Sequence, residues 1–160
     1  MNSTKVRNIM THDPFIIGPE KTVKDAAKLM KDIECGVLPV GTGPEYVVGM
    51  ITDRDITVRV SAEGKDASQT RIADVMTPRV HSCDVETSIE DAAEQMRKHE
   101  VCRLIVTNEN RAAGIVTLAE ILRNKRDRRA SENVLHELLG ARRNHHAKEM
   151  KKIAFAESQS

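Results

Sequence analysis

With 160 residues and a formal net charge of +1, the chain can bury a core without disulfides or metal and has room for one domain or two small ones. It is 39% apolar and 31% charged, with no Trp, one Tyr (Tyr46) and two Phe (Phe15, Phe155), so its core is built from Val, Ile, Leu, Met and Ala. No apolar run reaches the length of a membrane span or a signal peptide, and three cysteines without CxxC spacing speak against a disulfide framework or a structural zinc. A reduced, cytoplasmic protein is expected.

In chain order, Pro14–Ile17 is a short apolar run closed by Gly18-Pro19, which predicts a strand. Val23, Ala26, Ala27, Met30 and Ile33 then recur with the spacing of one helix face. Val37–Val40 reads as a strand, "GTGPE" as a turn, Tyr46–Ile51 as a strand and Asp53–Val60 as a second helix. After the linker "SAEGKDASQT" the pattern returns, with Ile89, Ala92, Ala93 and Met96 on a helix face. Each unit is therefore β-α-β-β-α, and the fold class is α/β. "RNKRDRRA" is a charge run, and Ser131 opens a last helix with Val134, Leu135, Leu138 and Leu139 in a stripe. The expected divisions are 6–64, 70–125 and a basic C-terminal helix over 131–153.

The return is an internal repeat. "IMTHDPFIIGPEKTVKDAAKLM" (9–30) aligns without a gap on "VMTPRVHSCDVETSIEDAAEQM" (75–96), and "GMITDRDI" (49–56) on "GIVTLAEI" (114–121). Two readings of the latter phrase stand side by side. Thr52-x-x-Asp55 and Thr117-x-x-Glu120 are capping boxes, as are Thr22-x-x-Asp25 and Ser88-x-x-Asp91 before each unit's first helix. A strand running through Gly and Thr into a helix also gathers amides, a hydroxyl and the dipole's positive end, which suits phosphate. An acid one turn on can accept from ribose hydroxyls.

Taken together, "NIMT" and "DVMT", "VKDAAKLM" and "IEDAAEQM", "GVLPV", "VVGMITDRDI" and "AAGIVTLAEI" resemble a tandem CBS-domain protein over roughly residues 6 to 125, about three quarters of the chain. The resemblance implies two units packed as a pseudo-twofold pair with two clefts between them. It implies regulatory binding of adenine nucleotides (AMP, ADP, ATP) or of S-adenosylmethionine or NAD, with no cofactor required and no catalysis. Carried over, cleft 1 would use Thr52, Arg54 and Asp55 with Thr77, His81, Val101, Cys102 and Arg103. Thr52 would meet phosphate, Asp55 the ribose, and Arg54 and Arg103 would be phosphate partners. Cleft 2 would use Thr117 and Glu120 with Thr11, Phe15, Cys35, Gly36 and Val37, Phe15 stacking on a base. Here Glu120 departs from the family's Asp, and its longer side chain would crowd a ribose, so cleft 1 is the expected site. A homodimeric disc and an unidentified regulated protein are the implied partners.

Other features have plainer readings. Cys35 and Cys102 suit small buried positions, although His81-x-Cys83 and His99-x-x-Cys102 bring soft metal ligands near one another. His145-His146 fit a solvated helix. No catalytic triad, Walker loop or zincin motif is present in the sequence. Residues 122 to 152 carry ten Lys/Arg against four acids. That tail suits a solvated helix packing on the body or a twin subunit, a docking helix, or, with no recognition motif beside it, nucleic-acid contact.

Overall fold

The computed structural model describes residues 3–124; the expected C-terminal helix over 131–153 lies outside them. Strand β1 (Thr11–His12) precedes helix α1 (Val23–Asp32), strands β2 (Val37–Gly41) and β3 (Val47–Thr52) and helix α2 (Asp53–Ile56). A π-helical turn, Thr57–Ser61, extends α2. Helix α3 (Ile72–Val75) leads into β4 (Ser82–Asp84), α4 (Ile89–Lys98), β5 (Arg103–Asn108), β6 (Arg111–Thr117) and α5 (Leu118–Arg123). The mixed α/β architecture follows the twofold β-α-β-β-α pattern expected from periodicity.

Helix starts agree with the capping boxes. Thr22, Thr52, Ser88 and Thr117 each accept the backbone amide three residues on. Val23, Ala26 and Met30 on α1, and Ile89, Ala92, Ala93 and Met96 on α4, are the buried face of each helix. Both helices end in a left-handed residue at the same repeat position, Glu34 (φ 53°) and Glu100 (φ 54°), which turns the chain towards the next strand.

One sheet has the order β1-β6-β5-β4, and the other is the pair β2-β3. The second sheet carries reduced versions of the same flanks: single bridges join Met50 to Thr77 and Ile17 to Val40. The expected strand over Pro14–Ile17 thus shrinks to one bridging residue. Asp13 stands at φ 47° and Pro14 has no amide to donate, so the ladder begins only where Ile17 N bonds Pro39 O at 3.0 Å.

The two hydrophobic clusters are assembled crosswise. Val6 and Met10, ahead of the first repeat's helix, are buried with Ile89, Met96, Leu104 and Val116 of the second repeat. Ile72 and Val75 are buried with Val23, Met30, Leu38 and Ile51 of the first. Matching backbone bonds fix the exchange, Val6 N to Thr87 O at 2.9 Å and Ile72 N to Lys21 O at 2.8 Å.

Each exchanged segment ends in Met-Thr lying against the glycine of the other repeat's recurring phrase. A Cβ on Gly49 would stand 2.8 Å from Thr77 O and 2.9 Å from Met76 Sδ. One on Gly114 would stand 2.7 Å from Thr11 O and 2.6 Å from Met10 Sδ. Glycine is required there for close approach of backbones. Gly49→Ala is expected to lower stability by about 1–3 kcal/mol through overpacking. Gly43→Ala, whose Cβ would meet only Glu45 Oε2 at 3.5 Å, should be nearly neutral. Urea unfolding of the two variants compares them directly, and equal losses would refute the close-approach account.

Candidate functional site

The two strand-to-helix corners are built alike and then diverge. At the first, Thr52 N and Oγ1 both donate to Asp55 Oδ2, at 3.0 and 2.9 Å, while Asp55 N donates to Thr52 Oγ1 at 3.1 Å. At the second, Thr117 N and Oγ1 donate to Glu120 Oε2 at 2.7 and 3.0 Å, and Glu120 N donates to Thr117 Oγ1 at 3.3 Å. The capping reading therefore holds at both corners. One carboxylate oxygen is spent on the cap, and the other is left to act across the units.

Those second oxygens meet different groups. Asp55 Oδ1 lies 3.5 Å from Arg59 Nη1, one helical turn on, with the Asp55 side chain 12% exposed. The same nitrogen donates to Val75 O at 2.7 Å and to Thr77 Oγ1 at 3.3 Å. Arg59 thereby ties the first unit's acid to the second unit's lead-in threonine. At the other corner Glu120 Oε1 accepts directly from Thr11 Oγ1 at 2.9 Å, the longer side chain spanning what Asp55 needs Arg59 to span.

The structure thus brings together Thr52, Asp55 and Thr77, and likewise Thr117, Glu120 and Thr11. Several of the remaining predicted residues have backbone partners in their own repeats. Cys102 O accepts from Leu118 N at 2.9 Å and Arg103 pairs with Thr117; Gly36 O accepts from Asp53 N at 3.1 Å and Val37 pairs with Thr52. Cys35 Sγ donates to Val37 O at 3.3 Å. Val101 packs on the second core, His81 O accepts from Ile105 N at 3.0 Å, and Arg54 is exposed. Phe15 is 59% exposed.

Sequence reasoning missed Arg59. The available signal was its spacing, four residues after Asp55, which places the two on one helix face. A hollow of about 490 Å³ lies beside the second corner, lined by Thr4, Asn8, Ile9, Glu120, Arg123 and Asn124. Another, of about 470 Å³, is bordered by Cys35, Gly36 and Asp53. Asp55, Arg59 and Thr77 line neither of these two.

His81 and His99 stack with ring centroids 4.2 Å apart. Burial, then the charges of His99 and Arg79, hold His81 below the ordinary histidine value. Burial, reinforced by Asp84, pushes the Cys83 thiol up to about 11, so this cysteine is a core residue rather than a nucleophile.

Comparison with known proteins finds a family model, described as "CBS domain", matching residues 6–62 and 72–127. "CBS domain-containing protein YhcV" of Bacillus subtilis is 33% identical over 82% of this chain and 93% of its own length. Hypoxic response protein 1 of Mycobacterium tuberculosis is 32% identical over 76% of this chain and 85% of its own. A crystal structure of Hypoxic Response Protein I, described as holding two coordinated zinc ions, matches 75% of this chain and 98% of that one with a TM-score of 0.65. A hexameric CBS-CP12 protein from bloom-forming cyanobacteria matches 78% and 74% at 28% identity, TM-score 0.68.

Two outcomes are expected from the titrating groups. At mildly alkaline pH a thiol reagent should modify the half-buried Cys35 and Cys102 well before Cys83, which should react only on unfolding; simultaneous modification in the native protein would contradict the burial. His81 has its folded value depressed below 6.5. Its contribution to stability is accordingly full above that value and lost as pH falls through the folded one. The urea midpoint should drop as pH falls below 6.5, and the drop should shrink in His81→Gln.

Proposed function

The chain belongs to the CBS-domain family, with two such domains in tandem, and from that premise we propose that it is a stand-alone regulatory sensor. It binds an adenine nucleotide or a related adenosyl ligand in cleft 1, around Thr52, Asp55, Arg59 and Thr77. The observation that carries this reading is the bridge from Asp55 through Arg59 to Thr77, which joins one unit's acid to the other unit's threonine. A ligand seated there touches both units and can favour one arrangement of them over another, which regulation requires. Cleft 2 is the weaker site, because Glu120 already accepts from Thr11. The relatives that this chain covers for most of their length are stand-alone proteins of this family, which supports a binding module rather than an enzyme.

A homodimer in the cytoplasm, acting on a partner protein, completes the proposal. The hexameric relative supports self-association as such. No helix among the described residues is long and apolar enough to cross a membrane. The zinc ions of the hypoxic response protein are not carried over: among the described residues no three His, Cys, Asp or Glu side chains are grouped to hold a metal. A second reading, a scaffold that regulates without a small ligand, is favoured by the four capping bonds, which account for the recurring acids structurally. Action on nucleic acid through the basic tail would rest on residues outside those described.

A thermal-shift panel with AMP, ADP, ATP, NAD and S-adenosylmethionine separates the first two readings. A ligand at a hundred times its dissociation constant should stabilise the protein by about 2.7 kcal/mol, a gain lost in Asp55→Ala. A flat panel would favour the scaffold, in which Thr52→Ala costs about 1 kcal/mol as a lost cap and nothing else.

A further inference from the structure

We propose that Arg59 sets the charge of the ligand that cleft 1 accepts, selecting phosphorylated adenosyl compounds and disfavouring cationic ones. The inference rests on the adenosyl-ligand reading above and narrows it to one chemical class.

Among the described residues, the recorded contacts of the Arg59 guanidinium all run through Nη1: Val75 O, Thr77 Oγ1 and Asp55 Oδ1. Nε and Nη2 have no recorded partner there, and the side chain is 44% exposed. A guanidinium anchored by one nitrogen, with two others available, is arranged to take an oxyanion as a two-point contact. Asp55 offsets part of this charge, and only at the anchored nitrogen. Its Oδ2 is committed to Thr52 N and Oγ1, and its Oδ1 stands 3.5 Å from Nη1. A phosphate entering beside Thr77 would meet this cation, whereas a sulfonium would be repelled by it.

The repeat supplies an internal control. Sixty-five residues on from Thr52, Asp55 and Arg59 stand Thr117, Glu120 and Asn124. The cap is kept, while the matching position holds Asn124 and the neighbouring Arg123 faces the hollow beside Glu120 instead. Arg54 likewise has Ala119 as its counterpart. A structural need common to both corners would call for the arginine twice. The second corner closes without it, through Glu120 and Thr11.

Isothermal titration of the full chain with AMP and with S-adenosylmethionine tests the assignment. The unmodified protein should bind AMP the more tightly. Arg59→Gln should weaken AMP by about tenfold or more, the scale of a lost hydrogen bond to a charged group, while leaving S-adenosylmethionine unchanged or improved. Arg59→Lys should restore most of the preference for AMP. An unchanged ratio of the two affinities in Arg59→Gln, or a native preference for S-adenosylmethionine, would overturn the role of Arg59 and leave the adenosyl reading standing. Binding of neither ligand to the unmodified chain would overturn both. Because Arg59 also holds Val75 O, Arg59→Gln could fail to fold. The double variant Glu120→Asp/Asn124→Arg leaves Arg59 untouched and gives the second corner the residues of the first. With the first corner's shorter acid and its cation now at the matching positions, the AMP stoichiometry should rise by one site per chain, and an isotherm identical to the native one would count against the assignment.

Discussion

The close approach of a Met-Thr dipeptide to a glycine in the opposite repeat is the constraint on which the rest of the molecule depends. It occurs twice, Met76-Thr77 over Gly49 and Met10-Thr11 over Gly114. In each case backbone bonds zip the pair together, as in the mutual bonds of Met50 and Thr77 at 2.9 and 2.8 Å. Any side chain on those glycines would hold the segments apart. Everything that follows along each segment, from the buried Val6 and Ile72 to the matching bonds at Thr87 and Lys21, is registered by that contact.

The same contact decides where chemistry can happen. Four residues beyond each glycine's apolar pair lies the helix-capping acid, and the exchanged threonine ends beside it. The corner is therefore polar and shared between units. Its two copies have drifted apart by small steps. One extra methylene lets Glu120 reach Thr11 unaided, whereas Asp55 meets Thr77 only through Arg59. A pseudo-symmetric scaffold has thus become chemically one-sided without any change in backbone plan.

Much of the fold was legible in the sequence because local physics writes it locally. Helix faces repeat at 3.6 residues, the Ser/Thr-x-x-acid phrases mark helix starts, and comparison of the chain with itself doubles the weight of each sign. Pro14–Ile17 was over-read, since apolar content suggests a strand whether or not the backbone has amides to pair. Arg59 was illegible for the opposite reason. The repeat marks only what recurs, and Asn124 stands at the matching place, so the residue that distinguishes the corners carries no repeat signal. Its partners Val75 and Thr77 are 16 and 18 residues away, and their meeting depends on the exchange, which no periodicity encodes. The same gap explains Val101, Cys102 and Arg103. Their place near a cleft comes from resemblance, which no local pattern encodes; Val101 N, Cys102 O and the strand pairing of Arg103 lie within their own repeat.

The crosswise cores also impose a timetable on synthesis. As the chain leaves the ribosome, the first repeat's helix and hairpin emerge with their cluster open, since Ile72 and Val75 have yet to be made. The opening residues Val6 and Met10 wait longer still, until Leu118 and Ile121 have followed and their own cluster can close over them. Neither half can therefore finish while the other is unmade, and apolar surface stays uncovered until the last helix of the second repeat is translated. A gene carrying only one repeat would leave its product in that unfinished condition, unless a second copy lent the missing segment.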